Sequence, residues 1–207
     1  MATAVTGRGA AAIMAMAILL TACGSLLPAP GPAPHLYTLT PKSTFRDDLP
    51  VAAWQLVVEE PTAAGGLTTH NIALRLDPME LQYFAAGRWT ERAPRMVQTL
   101  IVESFENSGR IVAVGREAVG LRSDYNLKTE LREFQAEYTT SSQAPSVRVR
   151  VNAKIIAQPR REIIASQTFE AVVPASSTEM DEVIRAFDAA LGRVLKGIVE
   201  WALLMPA

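Results

Sequence analysis

Alternation of apolar and polar residues is most sustained in "SVRVRVNAKII", residues 146–156. There Val147, Val149, Val151, Ala153 and Ile155 face one way, and Arg148, Arg150 and Lys154 the other. That pattern predicts a half-buried antiparallel strand with a basic outer face. A second run keeps Ile163, Ala165, Phe169, Ala171 and Val173 in one phase, and Pro159 marks the turn between the two. In a third, Leu127 to Tyr138, the apolar phase begins on Leu127 and Leu131 and moves to Phe134, Ala136 and Tyr138. A slip of one residue exchanges the faces of a strand, so a β-bulge is predicted near Arg132–Glu133.

Shorter strands are predicted at Tyr37–Thr40, Gln55–Glu59, Asn71–Arg75, Glu80–Phe84 and Ile111–Val114, with Asp77-Pro78 as a turn dipeptide. Apolar spacing changes to three and four in two places. Met96, Val97, Leu100, Ile101 and Phe105 form one stripe, with Pro94 suited to a first turn and Asn107-Ser108-Gly109 to the exit. Met180, Val183, Ile184, Phe187, Leu191, Val194, Leu195, Ile198 and Ala202 form a longer one, preceded by Ser176 and Glu179 at capping-box spacing. Gly192 and Gly197 each weaken such a helix by about 1 kcal/mol relative to Ala, which points to close approach to a sheet. The apolar tail Trp201–Met205 reads either as buried within the domain or as a partner contact. The fold class predicted is α+β: a mixed, largely antiparallel sheet with two amphipathic helices packed on one face.

The N-terminus follows a different pattern. Arg8 precedes an uncharged apolar run from Ala10 to Ala22, shorter than the roughly 17–25 residues that cross a bilayer. A positive start, a short apolar stretch and small residues describe a signal peptide over residues 1–22. The run ends in Leu20-Thr21-Ala22-Cys23, which resembles the bacterial lipobox. In such signals the cysteine receives an S-diacylglycerol, the chain is cut before it, and the new amino group is acylated, commonly with palmitate. Several acyl chains, at about 0.8 kcal/mol per buried CH₂, anchor permanently. A free cysteine inside a discarded leader is the other reading. Gly24 and Ser25 follow Cys23. By the same resemblance, the lack of Asp after the cysteine implies the periplasmic face of the outer membrane. Pro28, Pro30, Pro32 and Pro34 then favour extended polyproline II, reaching roughly 30 Å. Residues 23–35 read as lipidated cysteine and spacer, with a proline-motif ligand as the alternative, and residues 36–207 as the folded domain.

Composition narrows the chemistry. Apolar residues make up 49% of the 207 and the formal net charge is −1, so no basic field attracts nucleic acid. One cysteine excludes an internal disulfide and any multi-cysteine metal site, and the histidines are two, His35 and His70. No nucleophile elbow, phosphate loop, dinucleotide fingerprint or zinc histidine pair occurs in the sequence. Gly65-Gly66 reads as a turn, and Glu59-Glu60 and Asp181-Glu182 lack a cleft partner. His70 reads as a loop histidine or as a ligand. No cofactor, catalytic residue or metal ligand is predicted.

Several stretches, taken in order, resemble one family, the ABC-type transport auxiliary lipoproteins, also called PqiC-like lipoproteins. They are "LTAC", "YTL", "ALRLDPMELQYFAAGRWTERAPRMVQTLIVESFENSGRI", "SDYNLKTELREFQAEY" and "VIRAFDAALGRVLKGIVEWAL". The resemblance implies a periplasmic lipoprotein that serves as adaptor to an MCE-type lipid transport system and supports outer-membrane integrity. The implied partners are an MCE-domain protein and an ABC permease/ATPase complex, with the membrane engaged through the lipid and a homo-oligomer left open. Only Cys23 carries over with a defined role, and the family supplies no catalytic residue. The alternatives are a structural envelope-assembly lipoprotein with no transporter, and a surface enzyme.

Overall fold

The computed structural model describes residues 33–116, 123–138 and 143–205. Among the described residues, nine strands and two helices follow one another as β1 (His35–Tyr37), β2 (Ala52–Val58), β3 (Thr62–Ala63), β4 (Asn71–Asp77), β5 (Glu80–Trp89), α1 (Ala93–Ser108), β6 (Ile111–Arg116), β7 (Tyr125–Glu137), β8 (Ser146–Ala157), β9 (Glu162–Pro174) and α2 (Met180–Leu203). A 3-10 turn at Gly65–Leu67 lies between β3 and β4. The α+β class, with both long ladders antiparallel, is as the alternation predicts. Strand β3 carries no periodic signal, and β1 begins two residues before the strand predicted there.

Strand β7 organises the sheet. One edge runs antiparallel to β8, from Tyr125↔Ala157 to Glu137↔Ser146, and β8 continues antiparallel to β9. The other edge is shared by three short parallel partners: β2 at Tyr125–Leu127, β3 at Glu130–Leu131 and β4 at Gln135–Glu137. The sheet therefore forks, with β6 beyond β2, and β5 then β1 beyond β4. The register of β7 against β8 shifts between Leu131 and Glu133, where the bulge is predicted. The shift has a direct consequence for packing. Without it Glu133 would point into the core; with it Glu133 joins the outer face and Phe134 turns inward, 1% exposed.

Phe134 meets Trp89 from the end of β5 and Phe187 from α2 at ring-centroid distances of 5.5 and 5.1 Å, and Trp89 meets Phe187 edge-on at 5.2 Å. This buried triad sits where β5, β7 and α2 converge. Trp89 lies inside a strand twice as long as the apolar run 80–84 that predicted it. Around the triad, Val147, Val149, Val151, Ala153 and Ile155 of β8 are all fully buried.

Both helices are as the spacing predicts. Helix α1 begins at Ala93 with Pro94 in its first turn and ends at Gly109, whose φ of 61° is the left-handed cap that glycine favours. Buried Gln98 ties it to β2 by donating to the Val58 carbonyl at 2.9 Å. At the start of α2 the predicted capping box is absent. Glu179 itself is the N-cap and makes no side-chain cap bond; Ser176 bonds Glu182 instead. The helix starts one turn later than the box requires, so Ser176 cannot reach its first amides. An irregular segment between β1 and β2 straps the two helices. Thr40 donates to Asp188 at 2.7 Å, Lys42 N–H to Ser104 Oγ at 2.9 Å and Arg46 N–H to Glu200 at 3.0 Å, with Leu39 and Leu49 buried as pins.

Candidate functional site

The predicted lipidation residues Leu20, Thr21, Ala22 and Cys23 lie outside the described residues. What the described residues offer is surface. No group of three or more His, Cys, Asp or Glu among them could hold a metal ion, and no helix among them is long and apolar enough to cross a membrane.

The polar residues singled out by the sequence have structural partners. Glu59 accepts from Lys128 and from Asn126 Nδ2, each at 3.1 Å, while Glu60 pairs with Arg92 at 3.0 Å. Asp181 accepts the Tyr37 hydroxyl at 3.1 Å; burial and that carboxylate push the phenol above its ordinary range, so it stays protonated. Exposed His70 sets its Nδ1 3.3 Å from the Trp89 carbonyl, bracing the strand that carries the core tryptophan. At Gly66 a Cβ would come 2.6 Å from the Leu81 side chain, and Tyr83 donates to its carbonyl at 3.1 Å. The glycine pair is a turn clamped beneath the β4–β5 hairpin.

The basic face predicted for β8 is real in position but not free in charge. Arg148 lies 3.0 Å from Glu137 and 3.4 Å from Glu133, both on β7, and also bonds Glu170 on β9. The hydrogen bond to Glu137 is the largest influence raising its guanidinium further above an already high value. Arg150 lies 2.7 Å from Glu133. The carboxylates were visible as residues; that they face these arginines depends on a register the sequence does not display. Lys154 makes no ion pair among the described residues.

Beyond this ladder the open face carries a trough. Three adjoining hollows of about 320, 490 and 600 Å³ share Glu59, Lys128 and Lys154 at one junction and Asn126, Gln158 and Arg161 at the other. Its charges are mixed and its walls polar. It can hydrogen-bond and ion-pair with an extended polar partner. A second surface is the β4–β5 hairpin, where Asp77 accepts the Met79 amide at 2.9 Å and leaves Met79 97% exposed beside exposed Leu76. Both surfaces are open to contact.

Comparison with known proteins fits this picture. A family model described as the ABC-type transport auxiliary lipoprotein component matches residues 37–199. The chain is 28% identical over 149 residues to the uncharacterized protein bll6063 of Bradyrhizobium diazoefficiens, a match covering 72% of this chain and 39% of that relative's length. Among solved structures, protein XCC0632 of Xanthomonas campestris, a DUF330 protein, is 35% identical with a TM-score of 0.77, covering 82% of this chain and 94% of its own. Another uncharacterized protein shares the fold at a TM-score of 0.65 and 13% identity, covering 83% of this chain and 99% of its own.

Proposed function

We propose a role for this chain from one premise: it belongs to the family of ABC-type transport auxiliary lipoprotein components. It acts as a lipid-anchored adaptor. Cys23 carries the acyl chains, the proline-rich stretch holds the folded domain away from the bilayer, and the domain docks an MCE-domain protein that an ABC permease and ATPase serve. Its place is the periplasmic face of the outer membrane, and its loss weakens that membrane.

The family match over residues 37–199 carries the reading, and Leu20-Thr21-Ala22-Cys23 ahead of it supports the anchor. The mixed-charge trough and the hairpin tip at Met79 are surfaces by which a domain of this kind can hold a partner. Tagged protein, crosslinked mildly in its native cell, is expected to co-purify with an MCE-domain protein and its permease. Recovery of the tagged chain alone, from membranes in which that transporter is intact, contradicts the proposal and favours an envelope-assembly role.

A further inference from the structure

Single apolar side chains are ordinary on a protein surface, but the tip of the β4–β5 hairpin pairs two of them with charge. Met79 is 97% exposed and Leu76 53%. Asp77 and Glu80 are register partners across the hairpin. Their carboxylates accept the Met79 amide and the Gln82 side-chain amide, and neither makes an ion pair among the described residues. Like charges directly opposite one another destabilise a ladder. The tip is an apolar knob between two uncompensated carboxylates.

The hollow of about 490 Å³ in the trough has the complementary character. Its floor is two rows on the open face of the sheet, Asn126, Ile156 and Ile163 in one and Lys128 and Lys154 in the next. Ile163 is 55% exposed there. The one acid that lines the hollow, Glu59, is already held by Lys128 and Asn126. Lys154 and Arg161 make no ion pair among the described residues. Arg161 has a φ of 57°, in the left-handed region where glycine is the usual choice. Arginine is the costlier residue at such a position, and what it adds is a second unpaired cation beside an apolar wall.

Knob and hollow lie at opposite ends of the sheet. Strand β4 runs parallel to the last residues of β7, pairs Arg75 with Glu137, and carries the tip beyond them. The hollow sits at the other end of β7, by Asn126 and Lys128. The stretch from Lys128 to Glu137 alone is about 30 Å long, so no chain can place its own tip in its own hollow. We propose that the β4–β5 tip of one chain seats in the 490 Å³ hollow of a second copy. Met79 and Leu76 pack on Ile156 and Ile163, while Asp77 and Glu80 pair with Arg161 and Lys154. The two surfaces differ, so the contact is heterologous, and copies join head to tail in a closed ring or an open row. This contact stands independently of the transporter role.

Two measurements on the full chain test the proposal. With p-benzoylphenylalanine in place of Met79, irradiation of native membranes is expected to shift the chain to twice its mass and to higher multiples. The crosslinked peptides are expected to join position 79 to the segment around Ile156–Ile163 of another copy. Chains that stay single, or crosslinks to lipid, to a different protein or to another face of the second copy, each overturn the proposal. Charge reversal gives an independent reading in detergent. The parent is expected to have a protein mass of more than one chain, and E80K and K154E each to lower it to that of one chain. The two changes together restore the attraction with its sign reversed, and with it the parent's mass, while melting is unchanged in all three variants. A parent with the mass of one chain, or an E80K/K154E double variant that stays single, overturns the contact.

Discussion

Phe187 touches both other rings of the buried triad, Trp89 at 5.2 Å and Phe134 at 5.1 Å, and no part of it reaches solvent. Truncating it opens a hole that the sheet on one side and α2 on the other cannot collapse to fill. Phe187→Ala is expected to destabilise the domain by about 3–5 kcal/mol, read as a lower melting temperature; an unchanged melt places Phe187 outside the core. Two of the three rings were legible in the sequence. Phe187 sits in the helical stripe, and Phe134 announces itself by the change of phase. Trp89 does not, because Arg88 and Thr90 flank it and its burial depends on β5 running past its apolar stretch. The same limit hides the acids around Arg148. Their types are plain, but Glu133, Glu137 and Glu170 come from two other strands, and only the pairing brings them to one guanidinium.

Among the elements, α2 separates two glycines that the sequence treats alike. A Cβ at Gly197 would lie 2.8 Å from Phe169 Cδ1, and that ring is held against Trp201; at Gly192 nothing lies within 4 Å. Gly192→Ala is expected to stabilise by up to about 1 kcal/mol through helix propensity. Gly197→Ala is expected to lose about 1 kcal/mol net, because overpacking outweighs the same gain. Paired melting curves check both, and a rise at both positions contradicts the close approach of α2 to β9. Long periodic elements were legible: α1, α2, β7 with its bulge, β8, and β9 from Ala165 onward; a second register shift puts Ile163 on the other face from Ala165, 55% exposed, and so breaks the single phase predicted for that strand. The strap between β1 and β2 was not, since its order comes from Thr40, Lys42 and Arg46 bonding helices far along the chain. The division of one edge of β7 among β2, β3 and β4 is equally silent, because parallel pairing between distant segments leaves no local pattern.

At the scale of the molecule, the domain is that of an ABC-type transport auxiliary lipoprotein component, and the proposed role adds to it an acylated Cys23 and a proline-rich spacer. Family membership covers the domain, and the anchor is the step on which its position in the envelope depends. Intact-mass spectrometry of the protein extracted from its native membranes tests that step directly. The account predicts a chain that begins at Cys23 and carries the added mass of a diacylglyceryl group and an N-terminal acyl chain. A full-length chain, or one with an unmodified thiol at position 23, contradicts it.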